Sequence, residues 1–271
     1  MRKLALSALS VAALLAGAGS ALAQEAESPF SVSGSFAFVS DYRLRGVSQS
    51  DEDMAIQGGL TLNHESGFYA GTWGSSLAGW GTFGGPNVEL DLFAGYKTNL
   101  TEAVAVDAGV TVYTYPGGAS KTTFYEPFVK LSGTAGPATL LAGIAYAPKQ
   151  TALGNYSNTP QSAGQKQHNL YLWGDAAAAL PNTPVTLKAH LGYSDGNPGL
   201  GPNGTSVAPT GEYVDWLLGA DLALGKVVVG VAYTDTNITN SEAAYLQPNF
   251  ATTKGKPIAD QRVVFSISAA F

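Results

Sequence analysis

Residues 104–112, VAVDAGVTV, put Val104, Val106, Ala108, Val110 and Val112 on one side of an extended chain. Ala105, Asp107, Gly109 and Thr111 fall on the other. Side chains of a strand alternate between its two faces, so this stretch reads as a strand with one apolar and one polar, small-residue face. Residues 185–193 repeat the arrangement, with Val185, Leu187, Ala189, Leu191 and Tyr193 against Thr186, Lys188, His190 and Gly192.

The same period-two reading extends outward to twelve strands, at 32–46, 54–64, 67–76, 87–97, 103–114, 122–132, 138–147, 168–179, 184–194, 212–222, 226–235 and 260–271. Their lengths suit tilted strands that cross a bilayer. The connections after even-numbered strands are short: HESG, TNLT, GTAGP, LPNTP and LGK. Those after odd-numbered strands are mostly longer and rich in Gly, Pro, Asn, Ser and Thr, as in PKQTALGNYSNTPQSAGQKQ and DGNPGLGPNGTSVAPTG. Short turns at one end and long loops at the other predict an all-β, up-and-down antiparallel transmembrane barrel, with both termini at the turn end.

Aromatic residues test this topology separately. Tyr42, Tyr125, Tyr146, Tyr193 and Tyr233 fall near the loop ends of apolar faces, and Phe68, Tyr96 and Phe271 near the turn ends. Two such girdles are expected where a barrel meets two membrane interfaces. The chain closes on RVVFSISAAF, with Val263, Phe265, Ile267 and Phe271 on one face. A last strand ending in Phe resembles the signal by which outer-membrane proteins are received by the barrel-assembly machinery.

Composition narrows the class. With 271 residues, 33 glycines, 13% charged residues and mean hydropathy of +0.06, the chain is neither a disordered tail nor a bundle of apolar helices. Residues 1–23 read as a signal peptide: Arg2 and Lys3 lead, LALSALSVAALLAGAG is the apolar stretch, and Ala21-Leu22-Ala23 is a small-x-small cleavage site. Residues 24–271 then form the barrel domain, and losing Arg2 and Lys3 moves the formal charge from −6 to −8. Nucleic acid is not an expected partner of such an acidic chain. No cysteine and three histidines leave no disulfide framework and argue against a metal centre, and no cofactor is expected. A soluble sandwich or lipocalin-like barrel also alternates, but its outer face is polar and its charged fraction is usually near 25%. At 13% charged, with the charges opposite the valines, the inverted arrangement fits better.

Alternation also sorts the charges. In SDYRLRGVSQSDEDMAIQGG, residues 40–59, the expected first strand turns Phe36, Phe38, Tyr42 and Leu44 toward lipid and Asp41, Arg43 and Arg45 toward the interior. A charge on the lipid face near the midplane costs about 2–4 kcal/mol, which enforces this choice. Glu89, Asp91, Lys97, Asp107, Glu126, Lys130 and Asp175 are placed inside by the same rule, as are Lys188, His190, Asp215, Asp221, Lys226, Asp260 and Arg262. Such mixed charges either line a water-filled passage and select among solutes, or pair across a narrow lumen and fill it, Arg43 and Arg45 with Glu89, Asp91 or Asp107.

Catalysis has weak support. His64, His168 and His190 coexist with many serines, but both residue types are common enough that coexistence alone does not point to a Ser–His arrangement. The run Asp51, Glu52, Asp53 lacks the spaced pattern of a calcium loop and reads as a solvated outer loop that meets cations bridging lipopolysaccharide.

The stretch from Ser40 to Leu77, SDYRLRGVSQSDEDMAIQGGL followed by HESGFYAGTWGSSL, resembles the N-terminal signature of the TorF-like porin family of proteobacteria, whose function is itself not established. NVELDLFAGYK, YEPFVKLSG and the last strand extend the likeness more loosely. The resemblance implies an outer-membrane protein of a Gram-negative cell and a channel, and supplies neither a substrate nor catalytic residues. The expected function is passive diffusion of small hydrophilic solutes through the outer membrane, with lipid and lipopolysaccharide as surroundings and the loops at 148–167 and 236–259 folding over the mouth. A non-conducting structural or ligand-binding barrel is the second expectation and an outer-membrane lipid hydrolase the third.

Overall fold

The computed structural model describes residues 28–79, 85–119, 121–153, 165–198 and 207–271. The expected signal peptide lies outside them, as does most of the loop at 148–167. Twelve strands close into an antiparallel barrel in which each pairs with its sequence neighbour and the first pairs with the last. In chain order they are β1 (Phe30–Val39), β4 (Ala55–His64), β5 (Phe68–Ser76), β6 (Val88–Asn99), β7 (Val104–Thr114), β8 (Phe124–Ala135), β9 (Ala138–Gln150), β10 (Gln167–Ala179), β11 (Val185–Gly196), β12 (Glu212–Leu224), β13 (Val227–Thr236) and β14 (Arg262–Ala270). Closure is made by Ser35 opposite Ala270 through Val39 opposite Ser266, and Gly34 and Phe271 exchange two backbone hydrogen bonds. Among the described residues no edge of the barrel sheet is left unpaired, which is the condition for extended chain to reside in lipid.

The barrel is apolar outside. Leu92, Val129, Leu131, Ile144, Leu191, Leu218 and Phe265 are exposed, whereas Glu89, Asp91, Asp107, Glu126 and Lys130 are buried inside. That inversion rules out the soluble sandwich. Phe68, Tyr96 and Phe271 are exposed at the turn end, and Tyr125, Tyr146 and Tyr233 at the loop end. Glycines on the inner face make room for flat aromatic rings. Gly143 and Gly192 flank Trp173 in register, and a Cβ on Gly143 would fall 2.3 Å from the Trp173 ring.

The expected first strand is wrong in its second half. β1 ends at Val39, and residues 40–54 turn into the barrel as a small hairpin of β2 (Arg43–Leu44) and β3 (Val47–Ser48). Arg45 and Gly46 form its tip with φ of 50° and 79°, the two positive values of a type I′ turn. Tyr42, expected in the lipid-facing girdle, is 1% exposed and packs edge-on against Trp73 inside the barrel, at 5.6 Å between centroids. Leu44, also expected outside, packs between two inner apolar clusters. Lys226, expected in the lumen, is exposed in the turn between β12 and β13.

Outer chain seals the hairpin in place. Val47 belongs to a buried cluster with Ala208, Tyr213, Ile238, Leu246, Phe250 and Ile258, so the segment after β13 folds over the mouth as expected. Thr239-Asn240-Ser241-Glu242 opens the one-turn helix α1 (Asn240–Ala243) of that segment with a capping box. The Thr239 backbone N–H and hydroxyl donate to the Glu242 carboxylate and hold its pKa below the usual value.

Candidate functional site

The interior is organised around Arg45. Its position at the hairpin tip carries the guanidinium to the far wall, where Nη2 donates to both Glu126 oxygens of β8 at 2.8 and 2.7 Å. The same guanidinium lies 4.1 Å above the Tyr171 ring of β10. From β12, the Tyr213 hydroxyl donates to the Arg45 carbonyl at 3.1 Å. Gly46 is required beside it: a Cβ there would stand 2.4 Å from Thr236 Cγ2 and 3.0 Å from Asp215 Cβ.

Arg43 stays closer to home. It donates to Asp41 at 2.7 Å and to the carbonyls of Gly46 and Asp260 at 2.9 and 2.6 Å. Ser48 and Ser50 hydroxyls donate to the other Asp41 oxygen. Glu52 meets Arg262 at 3.0 Å, and Asp51 accepts from the backbone N–H and hydroxyl of Thr253. The acidic run is therefore not simply solvated: Asp51 ties the inserted segment to the last outer loop and Glu52 ties it to the start of β14, and only Asp53 of the three is exposed.

Below the hairpin lies a cavity of about 270 Å³. Three charge groups stand along its wall. Lys130 pairs at 2.9 Å with Asp107, which is directly opposite in register and also accepts from the Tyr69 hydroxyl at 2.6 Å. Lys188 pairs diagonally across the ladder with Asp221 at 2.5 Å. His190 lies between Asp175, at 2.6 Å from Nδ1, and Asp215, at 3.1 Å from Nε2, with the Tyr171 hydroxyl 2.9 Å from Nε2. Trp173 stacks on Tyr171 and adds an aromatic wall.

The pairings expected for the two arginines differ from those observed. Neither reaches Glu89, Asp91 or Asp107; Arg43 uses Asp41, Arg45 uses Glu126, and Asp107 belongs to Lys130. Glu89 and Asp91 face inward on β6, fully buried, with no basic side chain or backbone N–H on either carboxylate. Arg262 lies at the mouth, its side chain 38% exposed, and Lys97 stands opposite Asp107 in register.

The histidines form no Ser–His–acid arrangement among the described residues. Both His190 nitrogens are taken by carboxylates and a tyrosine. His64 Nδ1 lies 2.7 Å from the Ser66 hydroxyl, two residues away in an exposed turn, and His168 packs against the Tyr146 ring. Among the described residues no group of three or more histidine and carboxylate side chains has the geometry to hold a metal ion.

The missed residues are Tyr171, Tyr213 and Tyr69, which bond to Arg45, His190, Asp215 or Asp107, and Trp173, which stacks on Tyr171. Their signal was alternation itself, since Tyr171 and Trp173 share a strand face with Asp175.

These features describe a closed membrane barrel with an occupied, charged interior. Residues 23–271 match the family described as bacterial protein of unknown function (Gcw_chp), and the chain belongs to it. Its fold is similar to that of two solved porins. The NanC porin superposes with a TM-score of 0.54 at 12% identity, covering 89% of this chain and 99% of that one. The KdgM porin gives 0.53 at 8% identity, covering 88% and 99%. No curated protein sequence matches the chain.

Proposed function

We propose that this protein is an outer-membrane channel of a Gram-negative bacterium, through which small hydrophilic solutes diffuse passively. The observation that carries the reading is the charge-lined cavity inside a barrel whose outside is apolar. A charged lumen in a closed barrel gives solutes polar partners while excluding lipid. The two similar porins support a channel in this fold, and the likeness of Ser40–Leu77 to the TorF-like signature supports the finer family. The long loops would face outward, the turns and both termini the periplasm, and the C-terminal strand would meet the assembly machinery.

A second reading, a non-conducting barrel that binds a ligand in its cavity, is favoured by the inserted hairpin and the apolar cluster above it. Planar-bilayer recording of the purified full chain separates them. Discrete conductance steps are expected for the channel; a seal that never opens at any applied voltage, beside a conducting control porin, overturns it. Phospholipid deacylation no faster than in buffer, and unchanged by His190→Ala, would dismiss the hydrolase.

A further inference from the structure

Two carboxylates in the wall have no use in the charge pattern described so far. Glu89 and Asp91 are two apart on β6, so both project from its inner face at neighbouring positions. Both are 0% exposed, and no basic side chain or backbone N–H reaches any of their four oxygens. The basic groups nearby in sequence or space are committed elsewhere: Arg43 to Asp41, Arg45 to Glu126 and Lys130 to Asp107. An ionised carboxylate buried without a cation beside it is strongly disfavoured, and here two are adjacent.

A third oxygen points the same way independently. The Tyr42 hydroxyl comes from the inserted segment, not from β6, and its side chain is 1% exposed. It faces the Glu89 carboxylate and stands in the electrostatic field of Asp91, and no group outside this set hydrogen-bonds it. Two anionic groups and a neutral oxygen, closed off from solvent and lacking a protein cation, form the donor set of a hard cation.

We propose that Glu89, Asp91 and the Tyr42 hydroxyl hold one calcium-type divalent cation between the barrel wall and the inserted hairpin. One divalent ion neutralises both carboxylates. Calcium accepts irregular all-oxygen surroundings and bidentate carboxylates, whereas magnesium requires a near-octahedral shell and gives up its waters reluctantly. Because the wall supplies two ligands and the hairpin the third, the bound ion favours the inserted position of residues 40–54. Binding thus links divalent concentration to the occupancy of the lumen.

This inference does not depend on conduction, and its test does not measure it. The full chain, refolded in detergent in sodium chloride, is titrated with calcium chloride by calorimetry after chelator treatment. One calcium per chain is expected, with a melting temperature about 5 °C higher at a hundredfold excess over Kd. E89Q/D91N should lose at least about tenfold in affinity, since two charged ligands are removed. Tyr42→Phe, which keeps the ring against Trp73, should weaken binding several-fold and keeps the test intact if the double variant does not refold. Wild-type protein that takes up no calcium and melts identically with chelator overturns the proposal, because the carboxylates are then protonated or hydrated. Calcium uptake unchanged in E89Q/D91N overturns it equally, placing the ion elsewhere.

Discussion

Arg45 holds a backbone conformation that a side chain beyond Cβ rarely adopts, at φ of 50°. A non-glycine residue in the left-handed region costs about 1–2 kcal/mol, so something must compensate. The two bonds from Nη2 to Glu126 and the Tyr171 face do so. Arg45→Ala therefore leaves Glu126 as an uncompensated buried charge, and a loss of about 3–5 kcal/mol is expected in denaturant unfolding from micelles. Adding Glu126→Gln should recover part of that loss; full additivity of the two changes would show that the pair is not coupled. Gly46→Val tests the tip by shape alone. With a Cβ 2.4 Å from Thr236 Cγ2 and φ of 79°, the hairpin should be forced from its seat. Faster trypsin cleavage after Arg43 or Arg45 in the folded protein would report it.

At the scale of elements, twelve strands could be read from alternation because each has lipid on one face and polar interior on the other. The bilayer imposes period two over the whole strand length, and β4 to β14 begin and end within about three residues of the expected positions. β1 fails at Val39 for a physical reason. A hairpin inside a packed lumen is also extended chain, so Tyr42-Arg43-Leu44-Arg45 alternates as a spanning strand would, although both of its faces meet protein. The one local cue was Gly46 after Arg45, a weak turn signal beside Asn-Gly or Asp-Gly. Ion-pair partners were hidden for a different reason: they depend on register between strands. Asp107 opposite Lys130 and Asp175 opposite His190 are cross-strand neighbours that single-strand alternation cannot show. The outer face makes a cleaner prediction. Val129 lies mid-strand in β8, 44% exposed between Ala108 and Ile144 in register. Val129→Arg should cost about 2–4 kcal/mol of folding free energy into vesicles, whereas a polar change at an exposed turn residue such as Lys226 should cost little.

For the whole molecule, barrel and hairpin are separable in their bonding. β1 pairs with β4 and β14 without any help from β2 or β3, so wall closure does not require residues 40–54 to be inside. The hairpin is instead held by side-chain bonds to β8, β10 and β12 and by Ser48 to Ile258 of the outer loop. Two consequences can be told apart in one set of recordings. Replacing residues 42–49 by a short glycine-serine linker should preserve a folded, heat-modifiable barrel on gels and raise its conductance above that of the full chain. Arg45→Ala, which keeps the hairpin but strips its central cation, should leave Glu126 as an uncovered negative group beside the cavity. Reversal potentials in a potassium chloride gradient should then move toward cation selectivity, as rings of acidic charge impose on pores. Equal conductance in the linker variant would mean that solutes pass around the hairpin, with the wall charges Lys130, Asp107, Lys188 and Asp221 setting selectivity. An unchanged reversal potential in Arg45→Ala would place the selective constriction away from the Arg45–Glu126 pair, so the two measurements locate it along the barrel axis.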